Sequence, residues 1–249
     1  MKVNNLIKIW TKNELLHVTK GSDITKKFLK GKIISGISID SRTIKKNDLF
    51  IALIGKNHDG HNYIQTAINK GASGIIVSKK KYADEFNGLL VKNTKLALRK
   101  LAEHGRNRFK GKVIAVTGSN GKTTTKSMIS EILGFFGKTH STFQNNNNFL
   151  GLSLTLSRLD KNIKYCVLEL GINHKNEMEN LTRLAKPNIV MITNISSSHI
   201  ENFDSEEEIA QAKSKIFQGL IEPSCIILNS DDHWYEYLKS KGLKFTKNI

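Results

Sequence analysis

The 249-residue chain is 39% hydrophobic and 24% charged, with 18 Gly and 2 Pro. This composition indicates a globular protein with an apolar core, and it excludes disordered, collagen-like and membrane-embedded chains. The formal net charge of +17 favours an anionic partner such as a nucleic acid, an anionic lipid or a phosphorylated substrate.

The first hundred residues alternate between short apolar strands and helices. Their predicted elements are strands at 33–39, 49–53 and 74–77, and helices at 63–70 and 96–108. A basic segment, RNRFKGK, then precedes a change in composition. We therefore expect a domain boundary near residue 110, with one domain at 1–110 and another at 111–249.

The second half contains apolar strands that alternate with longer helices. Its predicted elements are strands at 113–117, 165–170, 189–193 and 225–228, and helices at 123–136, 177–185 and 206–220. Because strands of this kind are buried on both faces, the pattern predicts an α/β fold with a parallel sheet covered by helices.

The positive charge is concentrated in the first domain. Residues 1–112 contain 24 Lys and Arg against 8 Asp and Glu, whereas residues 113–249 contain 15 against 14. Cys166 and Cys225 lie in apolar runs, which predicts buried free thiols. The first residues lack an uninterrupted apolar segment and no stretch reaches ~20 apolar residues, so we expect a cytoplasmic protein without signal peptide or membrane insertion.

A glycine-containing loop joins the predicted strand at 113–117 to the following helix. Glycines let backbone N–H groups converge on an anion, and the helix N-terminus adds a positive dipole. The strict phosphate-loop pattern has glycine where this chain has Val116, and a glycine-rich turn with a surface lysine is the alternative. The predicted phosphate-binding residues are Gly118, Ser119, Asn120, Gly121, Lys122, Thr123 and Thr124.

This loop, TGSNGKTT, resembles the nucleotide loop of the Mur ligases and the folylpolyglutamate synthetases. Further segments resemble Mur ligase motifs in the same order: NNNNFLG at 145–151, LELGINH at 168–174, ITNI at 192–195, SHIENF at 198–203 and AKSKIF at 212–217. Upstream, the segments at 36–42, 48–53 and 59–63 resemble the UDP-sugar-binding domain of this family. The resemblance therefore extends over nearly the whole chain.

The resemblance implies a small mixed α/β UDP-sugar-binding domain, followed by an incomplete P-loop-type ATP-binding domain with a parallel sheet. It implies an ATP- and Mg²⁺-dependent ligase of peptidoglycan precursor synthesis, which joins D-Ala-D-Ala to UDP-MurNAc-tripeptide through an acyl phosphate. The C-terminal ligase domain of the family is absent from the sequence. We therefore expect no turnover by this chain alone, and a separate polypeptide is one source of the missing domain.

The resemblance also implies roles for individual residues. Lys122, His199 and Lys213 are expected to be catalytic, and Asn147 and Asn148 are expected to bind the nucleotide cofactor, as contacts to phosphate or substrate. The implied magnesium ligands are Thr123, Glu169, His199 and, once carbamylated, Lys213. The implied substrate-binding residues are Ser41, Arg42, Asp59, Gly60 and His61.

Simpler roles remain open for several of these residues. Glu169 could pair with a neighbouring lysine, Arg42 could form a surface salt bridge, and the asparagines at 145–148 could form a polar loop without a ligand. Three other functions also remain open. They are the related ligase that adds the third amino acid, a basic ATP- and nucleic-acid-binding protein, and a non-catalytic UDP-sugar-binding module. No nucleic-acid recognition motif is present, so we expect no nucleic-acid partner.

Overall fold

The computed structural model describes residues 8–144, 146–197 and 203–249. The chain divides into two compact units. One comprises Met1–Gly105 and Leu156–Asp160, and the other comprises Arg106–Thr155 and Lys161–Ile249. The boundary near residue 110 stays a prediction. Within the described ranges, no helix combines the length and the apolar character that a membrane crossing requires.

The first sheet contains four parallel strands in the order β1-β2-β3-β4. Its central strand β2 is buried along its whole length, and Phe50 from β2 packs with Ile75 from β3 in the apolar core. The strands are β1 (Gly36–Ser38), β2 (Asp48–Ile51), β3 (Gly74–Val77) and β4 (Leu89–Leu90). The helices that precede the second sheet are α1 (Lys12–Thr19), α2 (Ile64–Asn69), α3 (Lys80–Phe86) and α4 (Thr94–Arg108).

The second sheet contains five parallel strands in the order β6-β7-β5-β8-β9. Because β5 is central, its carboxyl end lies between those of β7 and β8, where ligands collect in parallel sheets. The strands are β5 (Lys112–Thr117), β6 (Thr139–Ser141), β7 (Tyr165–Glu169), β8 (Ile189–Ile192) and β9 (Cys225–Leu228). The remaining helices are α5 (Lys122–Phe136), α6 (Phe149–Ser157), α7 (Glu177–Ala185), α8 (Glu206–Ser214) and α9 (Tyr235–Gly242).

The predicted α/β class with parallel sheets is confirmed, but two of the predicted helices change character along their length. The helix predicted at 206–220 ends at Ser214 and continues as a 3₁₀ turn, Lys215–Gly219. The Thr182 hydroxyl donates a hydrogen bond to the Ile216 carbonyl oxygen (2.7 Å), so this carbonyl takes a partner from outside its own helix. The helix predicted at 63–70 likewise begins as a 3₁₀ turn, Gly60–Tyr63, and becomes α-helical only at Ile64.

The two thiols differ in exposure. Both cysteines are free, and Cys166 on β7 is fully buried as predicted. The prediction of a buried thiol is wrong for Cys225, which is half-buried. It lies on β9, which is an edge strand of the second sheet and is therefore covered less completely than the central strands.

Candidate nucleotide-binding site

The loop between β5 and α5 requires glycine at two positions. Gly118 has a φ of +146° and Gly121 a φ of +77°, which are conformations that residues with a Cβ seldom adopt. Gly121 is the N-cap of α5, so the first N–H groups of this helix have no carbonyl partner one turn earlier. These amides, together with the helix dipole, form the part of the loop that favours an anion.

The residues that follow β8 fix the conformation of this loop. The Ser119 N–H donates to the Asn194 carbonyl oxygen (2.8 Å), and the Asn120 N–H donates to Asn194 Oδ1 (3.0 Å). The Thr193 hydroxyl donates to the Asn120 carbonyl oxygen (2.6 Å), and the Ser196 N–H donates to Ser119 Oγ (2.9 Å). Because the amides of Ser119 and Asn120 already have acceptors, the amides of the first turn of α5 are the ones available to a phosphate.

Lys122 is folded back over its own loop. Its Nζ donates to the carbonyl oxygens of Gly118 and Ser119, both at 2.8 Å. Burial lowers the pKa of this ammonium, and the nearby Glu169 carboxylate raises it in part. Carbonyl and phosphate oxygens are both acceptors, so Lys122 can exchange one for the other without leaving the loop.

Glu169 lies at the carboxyl end of β7 and its side chain is only 2% exposed. Its Oε2 accepts a hydrogen bond from the Thr123 hydroxyl (2.9 Å), and its Oε1 accepts one from Asn147 Nδ2 (3.0 Å). Lys126 Nζ lies 3.6 Å from Oε2, so the alternative of a neighbouring lysine is also present. The sequence did not single out Lys126, because a lysine in a helix ordinarily lies in solvent.

The residues around Glu169 fit a magnesium ion. A hydroxyl and a carboxylate are hard oxygen donors of the kind that Mg²⁺ takes, and those of Thr123 and Glu169 already lie 2.9 Å apart. Among the described residues there is no group of three or more His, Cys, Asp and Glu side chains that could hold a metal. His199, an expected ligand, lies outside the described residues.

Lys213 on α8 reaches the same loop from another element. Its side chain is buried, and its Nζ donates to the Gly118 carbonyl oxygen (3.0 Å). Burial, and to a lesser degree the charge of Lys122, lowers the pKa of Lys213 to about 7. Lys215, two residues after Lys213, does not reach this loop, and its Nζ donates to the Lys175 carbonyl oxygen (3.0 Å).

The other predicted nucleotide contacts have different surroundings. Asn148 Oδ1 accepts a hydrogen bond from the Gly151 N–H (2.9 Å), so this side chain caps the start of α6. Thr124 is exposed on the first turn of α5. Asn145 lies outside the described residues. The predicted roles of Asn148 and Thr124 at the nucleotide stay predictions.

The predicted substrate residues of the first unit fall into two groups. The first group is Ser41, which is buried, and Arg42, whose guanidinium is exposed and pairs with both carboxylate oxygens of Asp40 at 2.8–3.1 Å. The alternative of a surface salt bridge is therefore realised for Arg42. An exposed pair of this kind contributes little to stability, so the guanidinium can exchange the carboxylate for another anion.

The second group is built around His61, whose ring is 1% exposed. Its Nε2 accepts a hydrogen bond from the Ser78 N–H (3.0 Å), so Nδ1 carries the proton and donates to Asp59 Oδ1 (2.6 Å). Lys79 Nζ bonds the other oxygen of Asp59. Ser78, His61 and Asp59 do not form a catalytic triad, because the Ser78 backbone N–H already donates to Nε2, the nitrogen that would act as the base. His61 instead fixes the loop that contains Gly60, where a Cβ would meet the Leu53 backbone at 2.7 Å.

Comparison with known proteins identifies the family of this chain. The profile of the Mur ligase middle domain matches residues 116–248, and that of the Mur ligase family catalytic domain matches residues 33–106. The UDP-N-acetylmuramoyl-tripeptide–D-alanyl-D-alanine ligase of Buchnera aphidicola subsp. Baizongia pistaciae is 44% identical over 83% of this chain and 45% of that protein. The ligase of the same name from Rickettsia prowazekii is 42% identical over 86% of this chain and 46% of that protein.

Solved structures give the same result. A MurF structure from Acinetobacter baumannii covers 94% of this chain with a TM-score of 0.81 and 32% identity, and 51% of that protein is covered. MurF from Thermotoga maritima, in complex with ADP, covers 86% of this chain with a TM-score of 0.71 and 29% identity, and 49% of that protein is covered. The chain thus spans about half the length of the relatives that it matches. It belongs to the Mur ligase family.

Proposed function

We propose that this chain provides the ATP-binding and UDP-MurNAc-tripeptide-binding parts of a MurF ligase, which joins D-Ala-D-Ala to the tripeptide in peptidoglycan synthesis. The observation that carries the proposal is the arrangement around the phosphate loop. Lys122 lies over the loop, Thr123 bonds Glu169, and Lys213 reaches the loop from α8. The similarity to ligases of this name favours MurF over the ligase that adds the third amino acid.

The proposed reaction activates a carboxylate before the amide forms. A carboxylate oxygen of the tripeptide attacks the γ-phosphorus of ATP, which gives an acyl phosphate and ADP. The amine of D-Ala-D-Ala then attacks the acyl carbon and loses a proton, and the tetrahedral intermediate expels phosphate. The first step brings two anions together, so a fixed cation at the phosphate lowers the barrier. Lys122 is suited to this role, because its ammonium is already held at the loop.

Thr123 and Glu169 are the described residues that would hold magnesium. The ion, when bound, neutralises negative charge on the phosphate oxygens. The hydrogen bond from the Thr123 hydroxyl keeps the Glu169 carboxylate directed at the start of α5, and the Asn147 amide fixes its other oxygen. His199 as a further ligand and catalytic residue remains part of the proposal.

Lys213 is proposed to act as a carbamate. A pKa of about 7 leaves a large fraction of this amine neutral near neutral pH, and the neutral amine adds CO₂ with loss of one proton. The product replaces a buried cation beside Lys122 with an anion. This change would relieve the repulsion between the two ammonium groups and provide an oxygen donor for the metal.

The first unit is proposed to bind the UDP-sugar. Its net positive charge suits a ligand with a diphosphate and several carboxylates. Ser41, Arg42 and the loop at Asp59 and Gly60 would contact this ligand. His61 would hold that loop in place from beneath, since both of its ring nitrogens have protein partners.

Equilibrium binding of fluorescently labelled ADP, with and without Mg²⁺, tests the nucleotide site. Charge-assisted hydrogen bonds contribute about 1.5–3 kcal/mol each, so Lys122→Ala should weaken binding by about 10- to 150-fold. Lys112→Ala removes an exposed lysine at the start of β5 and should leave binding unchanged. Equal affinity of the Lys122→Ala variant and the unmodified chain would overturn the nucleotide site.

A second titration tests the substrate. UDP-MurNAc-tripeptide should bind more tightly than the precursor that lacks the third residue, because the proposed ligase acts on the tripeptide. The reverse preference would indicate the ligase that adds the third residue. Random RNA serves as the third ligand, and RNA binding that is tighter than the UDP-sugar and falls steeply with salt would favour the nucleic-acid alternative.

A further inference from the structure

Lys126 is a buried cation that the expected site residues do not include. It lies on α5, four residues after Lys122 and three after Thr123, so the three side chains leave the helix on neighbouring positions of one face. Its side chain is only 5% exposed. A lysine at this depth is tolerated only where its charge and its N–H groups have partners.

The partners of Lys126 come from two segments of the second unit. Its Nζ donates to the carbonyl oxygens of Thr142 (3.0 Å) and Gln144 (3.3 Å), and it lies 3.6 Å from Glu169 Oε2. An ammonium group has three N–H bonds in a compact arrangement, and three acceptors surround this one. Lys126 therefore connects the helix of the phosphate loop, the segment after β6 and the end of β7.

The segment after β6 makes hydrogen bonds with both the backbone N–H and the side-chain carboxylate of Glu169. The Thr142 hydroxyl oxygen accepts the Glu169 N–H (3.1 Å), and Asn147 Nδ2 donates to Glu169 Oε1 (3.0 Å). The Asn147 carbonyl oxygen also accepts the Gly171 N–H (3.0 Å). A displacement of this segment would thus rotate or release the carboxylate, while Lys122 and the loop itself would keep their own hydrogen bonds.

We infer that Lys126 is a positioning residue for magnesium-dependent nucleotide binding. It anchors the residues at 142–144 and 146–147 and holds the Glu169 carboxylate toward Thr123, and it does not contact the phosphates itself. This inference rests on the proposed function, because it assigns Lys126 to the site that binds the nucleotide and its metal. Its role differs from that of Lys122, which lies over the loop.

The test uses Lys126→Met, which keeps an unbranched side chain one heavy atom shorter and removes the charge and the donors. Lys112→Met is the matched control, since Lys112 is exposed. Two quantities are measured: the gain in ADP affinity when Mg²⁺ replaces EDTA, and amide hydrogen exchange at 142–144 and 146–148. Lys126→Met should reduce the magnesium-dependent gain by about tenfold and leave the affinity in EDTA within about threefold. Hydrogen exchange should accelerate at these amides, and it should stay unchanged at the amides of the second sheet.

Lys126→Gln keeps an uncharged NH₂ group as donor, and it provides a second variant if Lys126→Met does not fold. It should show the same loss of the magnesium-dependent gain with a smaller increase in exchange. Either variant overturns the inference if it keeps both the gain and the protection. Equal losses in EDTA and in Mg²⁺ also overturn it, because they indicate a purely structural role.

Failure of the proposed function gives a different result. If the unmodified chain binds no ADP, the nucleotide site is wrong, and the exchange data alone decide the role of Lys126. A local increase in exchange at 142–144 and 146–148 would then support its anchoring of these residues, whereas unchanged exchange would contradict it.

Discussion

Gly118→Ala should destabilise the phosphate loop more than Gly121→Ala, the other glycine-to-alanine substitution in this loop. The new Cβ would lie 1.9 Å from Thr193 Oγ1 and 3.1 Å from the Thr193 backbone nitrogen. The φ of +146° adds a backbone cost of ~1–3 kcal/mol. Thr193 must also move and give up its bond to the Asn120 carbonyl oxygen, which costs ~1–2 kcal/mol. Together these terms predict a loss of about 2–5 kcal/mol in the free energy of unfolding.

A double-mutant cycle separates the two terms. Thr193→Ala alone loses the hydroxyl hydrogen bond and should cost ~1–2 kcal/mol. In the Gly118→Ala/Thr193→Ala variant the contact at 1.9 Å no longer exists, but the backbone cost remains. The double variant should therefore lose ~1–2 kcal/mol less than the sum of the single variants.

The assay is urea-induced unfolding followed by circular dichroism, together with ADP binding in Mg²⁺. Gly134→Ala is the control, since Gly134 lies inside α5 and its Cβ would meet nothing within 4 Å. It should increase stability by ~0.5–1 kcal/mol, because alanine favours the helix. The reasoning is refuted if the costs of Gly118→Ala and Thr193→Ala are additive, or if Gly118→Ala is no more harmful than Gly134→Ala.

Three further predictions concern charge and burial. Burial raises the pKa of Asp59, but hydrogen bonds, led by the one from Lys79, outweigh it and hold this pKa well below its usual range. Asp59 therefore stabilises the fold above about pH 4, and this contribution is lost as the pH falls and the carboxylate is protonated. Lys79→Met removes the main hydrogen bond to Asp59, so the free energy of unfolding measured in urea should decrease less between neutral and acidic pH in this variant. Burial raises the pKa of the Cys166 thiol to about 12, so iodoacetamide at pH 8 should modify half-buried Cys225 first, and equal rates would contradict this. Arg106 donates to the carbonyl oxygens at the end of α7, and Arg106→Met should cost about 2–3 kcal/mol of unfolding free energy because these carbonyl groups lose their donor, with a loss below ~1 kcal/mol as the contrary result.

The apolar strands of the second sheet could be predicted from the sequence because they are continuous runs of β-branched and aliphatic residues. β6 (Thr139–Ser141) was missed, since it is polar, only half-buried, and too short to show a period. α6 (Phe149–Ser157) was missed for the opposite reason. Its sequence, FLGLSLTLS, is apolar on every side, and such a run does not distinguish a buried helix from a strand.

The motifs located the phosphate loop and Glu169, but they did not show how the side chains pair. Lys126 is a lysine among threonines and serines at the start of a helix, and its burial depends on carbonyl groups 16 and 18 residues away. His61 stands in a loop motif, yet the tertiary fold turns its ring inward toward Ser78. Such roles depend on contacts between residues that are far apart in the sequence, and local sequence patterns contain no information on these contacts.

The electrostatics of the loop explain why a phosphate site is compatible with Val116, where the strict phosphate-loop pattern has glycine. Val116 is buried within β5, so the glycine of the strict pattern is replaced at a position that faces the core and not the anion. The attraction comes from elsewhere, since Lys122 lies over the loop and donates to the carbonyl oxygens of Gly118 and Ser119. Lys213 donates to the same carbonyl oxygen of Gly118, and burial together with the charge of Lys122 lowers its pKa. The proposed carbamate would remove this second positive charge, so Lys122 would remain as the cation that faces the phosphate. The binding of anions at this loop therefore depends on Lys122 and on the first amides of α5 more than on the glycine that Val116 replaces.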